Sequence, residues 1–216
     1  MKALIIGATG LVGSELTRLL LADNFFSEVI VFGRRSCGIN HPKLKEYLIN
    51  FDEPEQWREH VRGFVLFSAL GTTLKQAGSK ANQYRIDYQY QYEFAAIAAQ
   101  HNVRHYVLVS SSGANANSRF FYPKIKGQLE EAVLQLDLPN ITIFRPSLLL
   151  GKRAEKRLAE SIAQRIMPCL TRFIFRKYRP IPATTVARAM LLESVRPAGR
   201  KIYQGAEIFE LLQPKN

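Results

Sequence analysis

Tyr122 and Lys126 are the side chains of this sequence whose types and spacing are best suited to proton transfer. A separation of four residues places both on one face of a helix, and none of the other tyrosines is followed by a lysine four residues later. A phenol with a pKa of about 10 is a weak acid at neutral pH, but a neighbouring ammonium would lower that pKa. The pair therefore indicates a general acid, with a lysine that could also hold a ribose.

Three consecutive serines, Ser110 to Ser112, stand ten to twelve residues before that tyrosine, at the end of an apolar run. A hydroxyl at this point could donate a hydrogen bond to a substrate carbonyl. The alternative is a loop whose hydroxyls cap a helix. The conjunction of the serines with Tyr122 and Lys126 favours the catalytic interpretation.

A glycine-rich turn, GATGLVG at residues 7–13, follows the first apolar run of the chain. Gly7, Gly10 and Gly13 would permit a tight reversal, a close approach of the backbone to a pyrophosphate, and close packing of helix on strand. The N-terminus of the following helix favours negative charge. A turn without a ligand is the alternative, but the position between a strand and a helix favours nucleotide binding.

The end of the second apolar run indicates which nucleotide this would be. A carboxylate there would pair with the ribose hydroxyls of NAD, whereas this chain has Arg34 and Arg35. A guanidinium binds phosphate through two donors, so the pair predicts NADP; a solvated basic turn is the alternative. Asp52 follows the third predicted strand, where it could contact the adenine of the nucleotide. An acid at this position is equally typical of a helix N-cap.

These residues must be positioned by alternating strands and helices. The predicted strands are 2–7, 28–33, 44–49, 64–70, 105–111 and 141–146, and the predicted helices are 11–23, 82–101 and 121–137. Such alternation predicts an α/β fold with a doubly wound, mostly parallel sheet and helices on both faces. The crevice of this fold lies beyond the carboxyl ends of the strands, so the residues that follow five of the strands should form one site.

The composition predicts a single domain spanning residues 1–216, with 47% hydrophobic and 22% charged residues. No apolar run approaches the roughly 20 residues of a membrane span, and the short apolar stretch after Lys2 is interpreted as a strand rather than a signal peptide. Cys37 and Cys169 are expected to be reduced thiols in a cytoplasmic protein. The four histidines lack metal-ligand spacing, so no metal site is expected.

The net charge of +12 is concentrated near the C-terminus, because residues 152–179 hold nine Lys and Arg against two acids. Apolar residues recur at helical spacing from Leu158, which predicts an amphipathic helix with a basic face. The alternatives are a core-packing helix with a solvated face, a peripheral contact with a membrane, and a site for an anionic substrate or a protein partner. Nucleic-acid binding is disfavoured because no recognition motif accompanies the charge.

The motifs GATGLVG, LGTT, SSSGA and YPKIK resemble those of the atypical short-chain dehydrogenase/reductase superfamily. Their order is similar to that of the branch that contains the HIV Tat-interacting protein and bacterial NAD(P)-binding relatives. The similarity runs from residue 2 to about 153 and continues more weakly through 178–190. It implies a Rossmann-type fold, a small substrate-side region at 147–216, and NADPH as the cofactor.

The resemblance also implies roles for individual residues. Ser111 is the best match for the active-site hydroxyl, with Ser110 and Ser112 as rivals, while Tyr122 would be the acid/base and Lys126 its partner. The cofactor would be held at the pyrophosphate by Gly7, Thr9, Gly10, Leu11 and Val12, at the 2′-phosphate by Arg34 and Arg35, and along the adenosine and nicotinamide by Leu70, Gly71 and Thr72. Gly13 and Asp52 are added to the predicted cofactor site by their positions in the sequence, in the glycine turn and after the third strand.

One departure from the superfamily pattern is Asp87, which stands about where related reductases have an asparagine. The sequence thus predicts an NADPH-dependent oxidoreductase that reduces an unidentified carbonyl compound. An NADPH-binding regulatory or scaffold protein without turnover is the second hypothesis. A sugar-nucleotide epimerase or dehydratase is a third, for which the residues after 150 leave little room for a lid. The predicted helices 82–101 and 121–137 carry enough apolar surface for a homodimer.

Overall fold

The computed structural model describes residues 1–150, 180–196 and 199–213. The basic segment 152–179, with its predicted amphipathic helix and Cys169, lies outside the described residues. None of the helices in the described parts is long and apolar enough to cross a membrane.

Seven parallel strands form the main sheet, in the order β3-β2-β1-β4-β5-β6-β9. The strands are β1 (Lys2–Ile6), β2 (Glu28–Gly33), β3 (Leu44–Leu48), β4 (Val65–Ser68), β5 (His105–Val109), β6 (Asn140–Arg145) and β9 (Arg200–Gln204). The chain proceeds outward from β1 to β3 and then crosses back to β4, so the strand order reverses beside β1. The doubly wound α/β fold predicted from the sequence is confirmed.

The helices cover both faces of this sheet and pack on two apolar cores. They are α1 (Leu11–Ala22), α2 (Leu74–Ala77), α3 (Lys80–Tyr84), α4 (Tyr90–Gln100), α5 (Phe121–Leu134), α6 (Ala183–Val195) and α7 (Glu207–Glu210). Successive strand residues alternate between the faces: Ile5 belongs to the core beneath α1 and α6, while Leu4 belongs to the core beneath α4 and α5. Central strands buried on both faces explain why their sequences are continuous apolar runs.

The helix predicted at 82–101 begins at Lys80 and is interrupted by a π-helical segment, Arg85–Gln89, between α3 and α4. A wider π turn leaves backbone groups to be satisfied from elsewhere. Gln91 Nε2 donates to the carbonyl oxygen of Asp87 at 3.0 Å, and Gln91 Oε1 accepts from Ser68 Oγ at 2.8 Å. The π-helical segment is therefore supported by side chains from α4 and from the end of β4.

Part of the region 147–216 completes the sheet. Helix α6 packs against α1 and buries Val186 and Met190 in the first core. Strand β9 pairs along its whole length with residues 141–145 of β6. Strands β7 (Leu149–Leu150) and β8 (Ile181–Pro182) form a separate parallel pair. The sequence analysis did not predict β9, because three of its five residues are exposed and its sequence has no apolar run.

Candidate functional site

The glycine turn between β1 and α1 is shaped by close backbone contacts. Gly7 has φ +86°, and a Cβ on it would lie 2.5 Å from backbone atoms of Ala69 and Leu70. A Cβ on Gly13 would lie 2.1 Å from the carbonyl oxygen of Gly7, whereas one on Gly10 would lie 3.1 Å from the same atom. Gly7 and Gly13 are therefore required by the packing of the turn, and Gly10 has more room.

Helix α1 begins at this turn with its N-terminus directed to the crevice edge of the sheet. Its N-cap, Gly10, makes no side-chain capping hydrogen bond, and its first turn contains no acid. The first amides of a helix have no partner within it, so Leu11, Val12 and Gly13 offer backbone N–H groups to an anion. Val12 is buried in the core, so only its backbone is available.

A cavity of about 360 Å³ opens beside the turn. It is lined by Gly7, Ala8, Thr9, Val31, Phe32, Gly33, Arg34, Arg35, Phe51 and Leu70. The structure thus brings together Gly7, Thr9, Arg34, Arg35 and Leu70 from the residues singled out in the sequence. Both arginines are exposed at the end of β2. Among the described residues, the lining contains no acid.

Phe51 is a lining residue that the sequence analysis missed, and its neighbour Asp52 lies outside the lining. The Asp52 carboxylate is exposed; it accepts a hydrogen bond from the Tyr90 hydroxyl at 2.8 Å and lies 3.6 Å from the Arg85 guanidinium. It is also not an N-cap, because the short helical turn that follows has Glu53 in that position. Contact between Asp52 and an adenine stays a prediction.

Gly71 and Thr72 also lie outside that lining, in the loop that follows β4, next to Asp87. The Thr72 amide donates to Asp87 Oδ2 at 3.2 Å, and a Cβ on Gly71 would stand 3.4 Å from Asp87 Oδ1. Asp87 has no exposed surface, and its Oδ1 has no hydrogen-bond partner within the described part of the chain. Burial raises the pKa of this carboxyl to about 6, against the opposing effects of the Lys126 charge and the Thr72 amide.

Tyr122 and Lys126 lie in the first turns of α5, four residues apart as the spacing predicts. Lys126 is only 1% exposed, and its Nζ donates to the carbonyl oxygen of Val109 at the end of β5, at 3.3 Å. Burial lowers the pKa of the ammonium, and the charges of Asp87 and Glu130 counteract this. The Val109 carbonyl is thus the hydrogen-bond partner of this buried amine, which forms no ion pair with either carboxyl group in the described part of the chain.

The lowered pKa predicted for Tyr122 beside Lys126 is not found, because other effects raise it. The Tyr122 side chain is 37% exposed as a whole. The pKa of its phenol is nevertheless raised, first because the hydroxyl is largely shielded from water and then because of the Asp87 charge. The physical reason is that the apolar environment and a nearby carboxylate both disfavour a phenolate. The tyrosine therefore stays protonated at neutral pH.

The serines at the end of β5 differ in what they contact. Ser110 is buried, and its Oγ donates to the Glu130 carboxylate. Ser111 and Ser112 are half-buried, and Ser111 Oγ donates to the carbonyl oxygen of Ser112 at 3.3 Å. Because Ser110 is engaged by a buried acid, Ser111 and Ser112 are better placed to meet a substrate.

Glu130 is a buried acid that the sequence analysis did not identify. It is 2% exposed, and Arg145 Nε lies 3.0 Å from each of its carboxylate oxygens. The signal that could have found it is the spacing of Tyr122, Lys126 and Glu130, each four residues from the next on one face of α5. Gly127 lets α5 pack closely on the loop between β5 and α5, because a Cβ at this position would lie 2.1 Å from the Ala116 amide nitrogen.

The cavity beside the glycine turn and the α5 side chains thus lie at the carboxyl ends of neighbouring strands. No group of three or more His, Cys, Asp or Glu that could hold a metal occurs within residues 1–150, 180–196 and 199–213. The arrangement can bind an anion at a helix N-terminus, hold a second anion between two arginines, and transfer a proton from a phenol.

Known proteins are similar to this chain along most of its length. Residues 7–164 match a family described as NAD(P)H-binding. The chain is 38% identical over 212 residues to Protein FMP52, mitochondrial, of Debaryomyces hansenii, covering 95% of this chain and 91% of that protein. It is 32% identical over 215 residues to Protein HTATIP2 of Rattus norvegicus, covering 98% and 85% respectively.

Solved structures share the fold at lower identity. UDP-glucose 4-epimerase of Thermotoga maritima with UDP-glucose superposes with a TM-score of 0.71 and 17% identity, over 94% of this chain and 76% of that one. At this identity the likeness is informative about the fold alone.

Proposed function

The chain belongs to the NAD(P)H-binding family of atypical short-chain dehydrogenases/reductases, and from that premise we propose that it is an NADPH-dependent oxidoreductase acting on a carbonyl compound. The observation that carries the proposal is the α5 face, on which Tyr122 and Lys126 lie at the same sheet edge as the glycine turn. A phenol, a buried amine and a half-buried hydroxyl beside a nucleotide cavity are the groups that carbonyl reduction requires.

The residues around the cavity fit a dinucleotide phosphate. The uncapped N-terminus of α1 offers the amides of Leu11 to Gly13 to a pyrophosphate. Arg34 and Arg35 supply guanidinium groups at the cavity, where an NAD-specific site would have an acid for the ribose hydroxyls. We therefore propose NADPH rather than NADH. When bound, NADPH supplies a hydride.

The chain's own residues would hold the carbonyl oxygen and provide the proton. Ser111 donates a hydrogen bond to that oxygen, and Tyr122 donates its proton as negative charge develops there. Lys126, held by Val109, stabilises the phenolate that forms.

A protein that binds NADPH without turnover is the second candidate, and one observation favours it. Burial, and then the Asp87 charge, raises the pKa of Tyr122, which makes the phenol a weaker proton donor. In this candidate the nucleotide sets the conformation or the affinity for a partner, and the tyrosine is inert.

Fluorescence titration with NADPH and NADH tests the cofactor. We expect NADPH to bind more tightly, and Arg34→Ala or Arg35→Ala to weaken NADPH binding by about tenfold or more, since a hydrogen bond to a charged group contributes about 1.5–3 kcal/mol. Arg104→Ala is the matched control. Arg104 is exposed just before β5, at the amino ends of the strands and therefore opposite the cavity. Tighter binding of NADH than of NADPH would overturn this assignment.

A panel of carbonyl compounds, followed by NADPH oxidation, tests turnover. We expect Tyr122→Phe to lower the rate by about 100-fold or more, the contribution of general acid catalysis, without weakening NADPH binding. Tyr84→Phe, which alters a tyrosine stacked on Tyr88, is the control. If no compound gives turnover that Tyr122→Phe removes, the second candidate is favoured.

Three further expectations stay proposals: a cytoplasmic location, a homodimer through α4 and α5, and a peripheral membrane or protein contact through 152–179. The names of several fungal relatives contain the word mitochondrial, whereas the name of the rat relative does not. Cell fractionation and sedimentation of the purified protein test the first two.

A further inference from the structure

Three positively charged side chains border the crevice next to Tyr122. Lys75 and Lys80 lie in α2 and α3, which follow β4, and Arg119 lies just before α5, in the segment that follows β5. All three are exposed, and none forms an ion pair within the described part of the chain. We call these three residues the cationic rim.

The cationic rim reaches the proposed proton donor through contacts between α3 and α5. Lys80 Nζ lies 5.6 Å from the centroid of the Phe121 ring, and Phe121 directly precedes Tyr122. Arg119 is three residues before Tyr122. Since β4 and β5 are neighbours in the parallel sheet, the segments that follow them meet at the same edge of that sheet. The rim and Tyr122 therefore share one side of the crevice.

The acids of this part of the chain do not neutralise the cationic rim. Residues 61–128 contain two acids, Asp87 and Glu93. Asp87 has no exposed surface, and Glu93 is half-buried on α4. The next acid along the chain, Glu130, is paired with Arg145. Among the described residues, this side of the crevice thus presents positive charge to solvent without an exposed carboxylate of its own.

Hydrogen bonds fix the backbone on both sides of Arg119. The Ser118 amide donates to the carbonyl oxygen of Asn115 at 3.0 Å, and the Phe120 amide donates to Ser118 Oγ at 3.1 Å. The Asn115 amide in turn donates to the carbonyl oxygen of Pro123 at 3.0 Å, which ties this loop to α5. The guanidinium is therefore carried by a loop that is held against the first turn of α5.

The start of α3, where Lys80 lies, is fixed in a similar way. Ser79 is the N-cap of α3, and its Oγ accepts from the Asn82 amide at 3.1 Å. Gln83 Nε2 donates to the carbonyl oxygen of Thr72 at 3.4 Å, which joins α3 to the loop after β4. The aromatic ring beneath the ammonium attracts it electrostatically. Lys80 thus has a defined position at the crevice without an acid to hold it.

Exposed apolar side chains adjoin two members of the cationic rim. Phe120, next to Arg119, is 77% exposed, and Leu74, next to Lys75, is 47% exposed. Small-molecule sites combine apolar surface with a few polar groups that fix the orientation of the ligand. Positive charge beside apolar surface is suited to a compound that has an apolar body and an anionic group.

We propose that the carbonyl substrate is such an anion: the cationic rim binds its carboxylate or phosphate while its carbonyl group meets Tyr122. This inference rests on the proposed function and names the class of compound that it acts on. Arg119 can bind two oxygens of the anion at once, and the two lysines act as point charges. An uncompensated positive rim also raises the rate at which an anion enters the crevice.

Binding of an acid and of its methyl ester tests the preference for charge without turnover. Protein saturated with NADP⁺, so that Arg34 and Arg35 are occupied, is titrated by calorimetry with 4-carboxybenzaldehyde and with its methyl ester. We expect the acid to bind about tenfold more tightly than the ester. Raising the salt concentration from about 0.02 M to about 0.5 M should weaken binding of the acid alone, because salt screens exposed charges.

Substitutions in the cationic rim test which residues provide the charge. Lys75→Ala, Lys80→Ala and Arg119→Ala should each weaken binding of the acid by about threefold, the contribution of one exposed ion pair, and leave binding of the ester unchanged. The controls are Arg188→Ala, on α6 at the opposite face of the sheet, and Lys201→Ala, on the edge strand β9. Both remove an exposed positive charge away from Tyr122 and should leave both affinities unchanged.

Two results of these titrations would overturn the proposal. One is equal affinity of the protein for the acid and the ester. The other is an affinity for the acid that falls no further in the three rim variants than in Arg188→Ala and Lys201→Ala.

Turnover separates this inference from the proposed function. If the acid is reduced with a kcat/KM about tenfold above that of the ester, and Arg119→Ala raises KM without lowering kcat, both are supported. If neither compound is reduced but the acid still binds more tightly through the rim, the proposed function fails and the anion site stands. If the ester is reduced as efficiently as the acid, the proposed function stands and the anion site is refuted.

Discussion

Replacing the buried Asp87 by asparagine should make the protein less sensitive to pH. The pKa of this carboxyl is raised by burial from 3.8 to about 6 in the folded state. Between these two values the folded protein binds more protons than the unfolded chain, so its stability falls as the pH rises. At about 1.4 kcal/mol per pKa unit, ionisation of Asp87 costs about 3 kcal/mol of unfolding free energy above pH 6.

Urea denaturation of the wild type and of Asp87→Asn, at a series of pH values from about 4 to 8, measures this cost. We expect the unfolding free energy of the wild type to decrease relative to the variant by about 2–3 kcal/mol across this range, with most of the change below pH 7. Asparagine keeps an oxygen that can accept from the Thr72 amide, so the variant retains the loop contact.

The comparison is arranged so that other titrations cancel. His105, whose pKa burial lowers to about 4, is present in both proteins and affects both curves equally. Asp137→Asn, which alters an exposed acid, should follow the wild-type curve. A difference between wild type and Asp87→Asn that is constant with pH, or that favours the wild type as the pH rises, would refute the reasoning from burial.

Three further predictions concern packing and the buried ion pair. Gly13→Ala should lower the unfolding free energy by about 1–3 kcal/mol in urea denaturation, because its Cβ would overlap backbone atoms. Gly10→Ala should lower the unfolding free energy by less than about 1 kcal/mol. It should still weaken NADPH binding in a fluorescence titration, because the added methyl group lies at the N-terminus of α1. Gly127→Ala should lower the Tm and the rate of any NADPH oxidation together, because α5 must move away from Ala116. Arg145→Met should cost about 3 kcal/mol, because it leaves Glu130 buried without its partner.

Each of these predictions has a result that would contradict it. Equal stabilities of Gly13→Ala and Gly10→Ala would show that the turn relaxes to accept a methyl group at either position. A Gly127→Ala protein with unchanged Tm would mean that α5 does not pack directly on residues 115 and 116. For Arg145→Met, the control is Arg104→Met, at the amino ends of the strands. Equal losses of unfolding free energy in the two variants would indicate that the ion pair of Arg145 with Glu130 contributes nothing to stability.

Those parts of the fold that produce a local pattern in the sequence could be predicted. Continuous apolar runs identified β1, β2, β4, β5 and β6, because strands buried on both faces need apolar residues at every position. Strand β9 was not predicted, because it is a half-exposed edge strand and its sequence lacks a continuous apolar run. The π-helical segment escaped as well, since its sequence continues the helical pattern and only the contacts of Gln91 with Asp87 and Ser68 support the wider turn.

The candidate site divides in the same way. The sequence by itself determined the glycine turn, the two arginines, and the spacing of Tyr122 and Lys126, because each depends on residues that are neighbours in the chain or within one helix. Only the tertiary structure decided how burial and neighbouring charges shift the pKa values of Tyr122 and Lys126. Burial and the charge of Asp87, which comes from a different helix, raise the pKa of Tyr122, and the pairing of Glu130 with Arg145 joins α5 to β6. Electrostatic effects of this kind depend on distances through space and on exclusion of water, and neither is present in the linear order of residues.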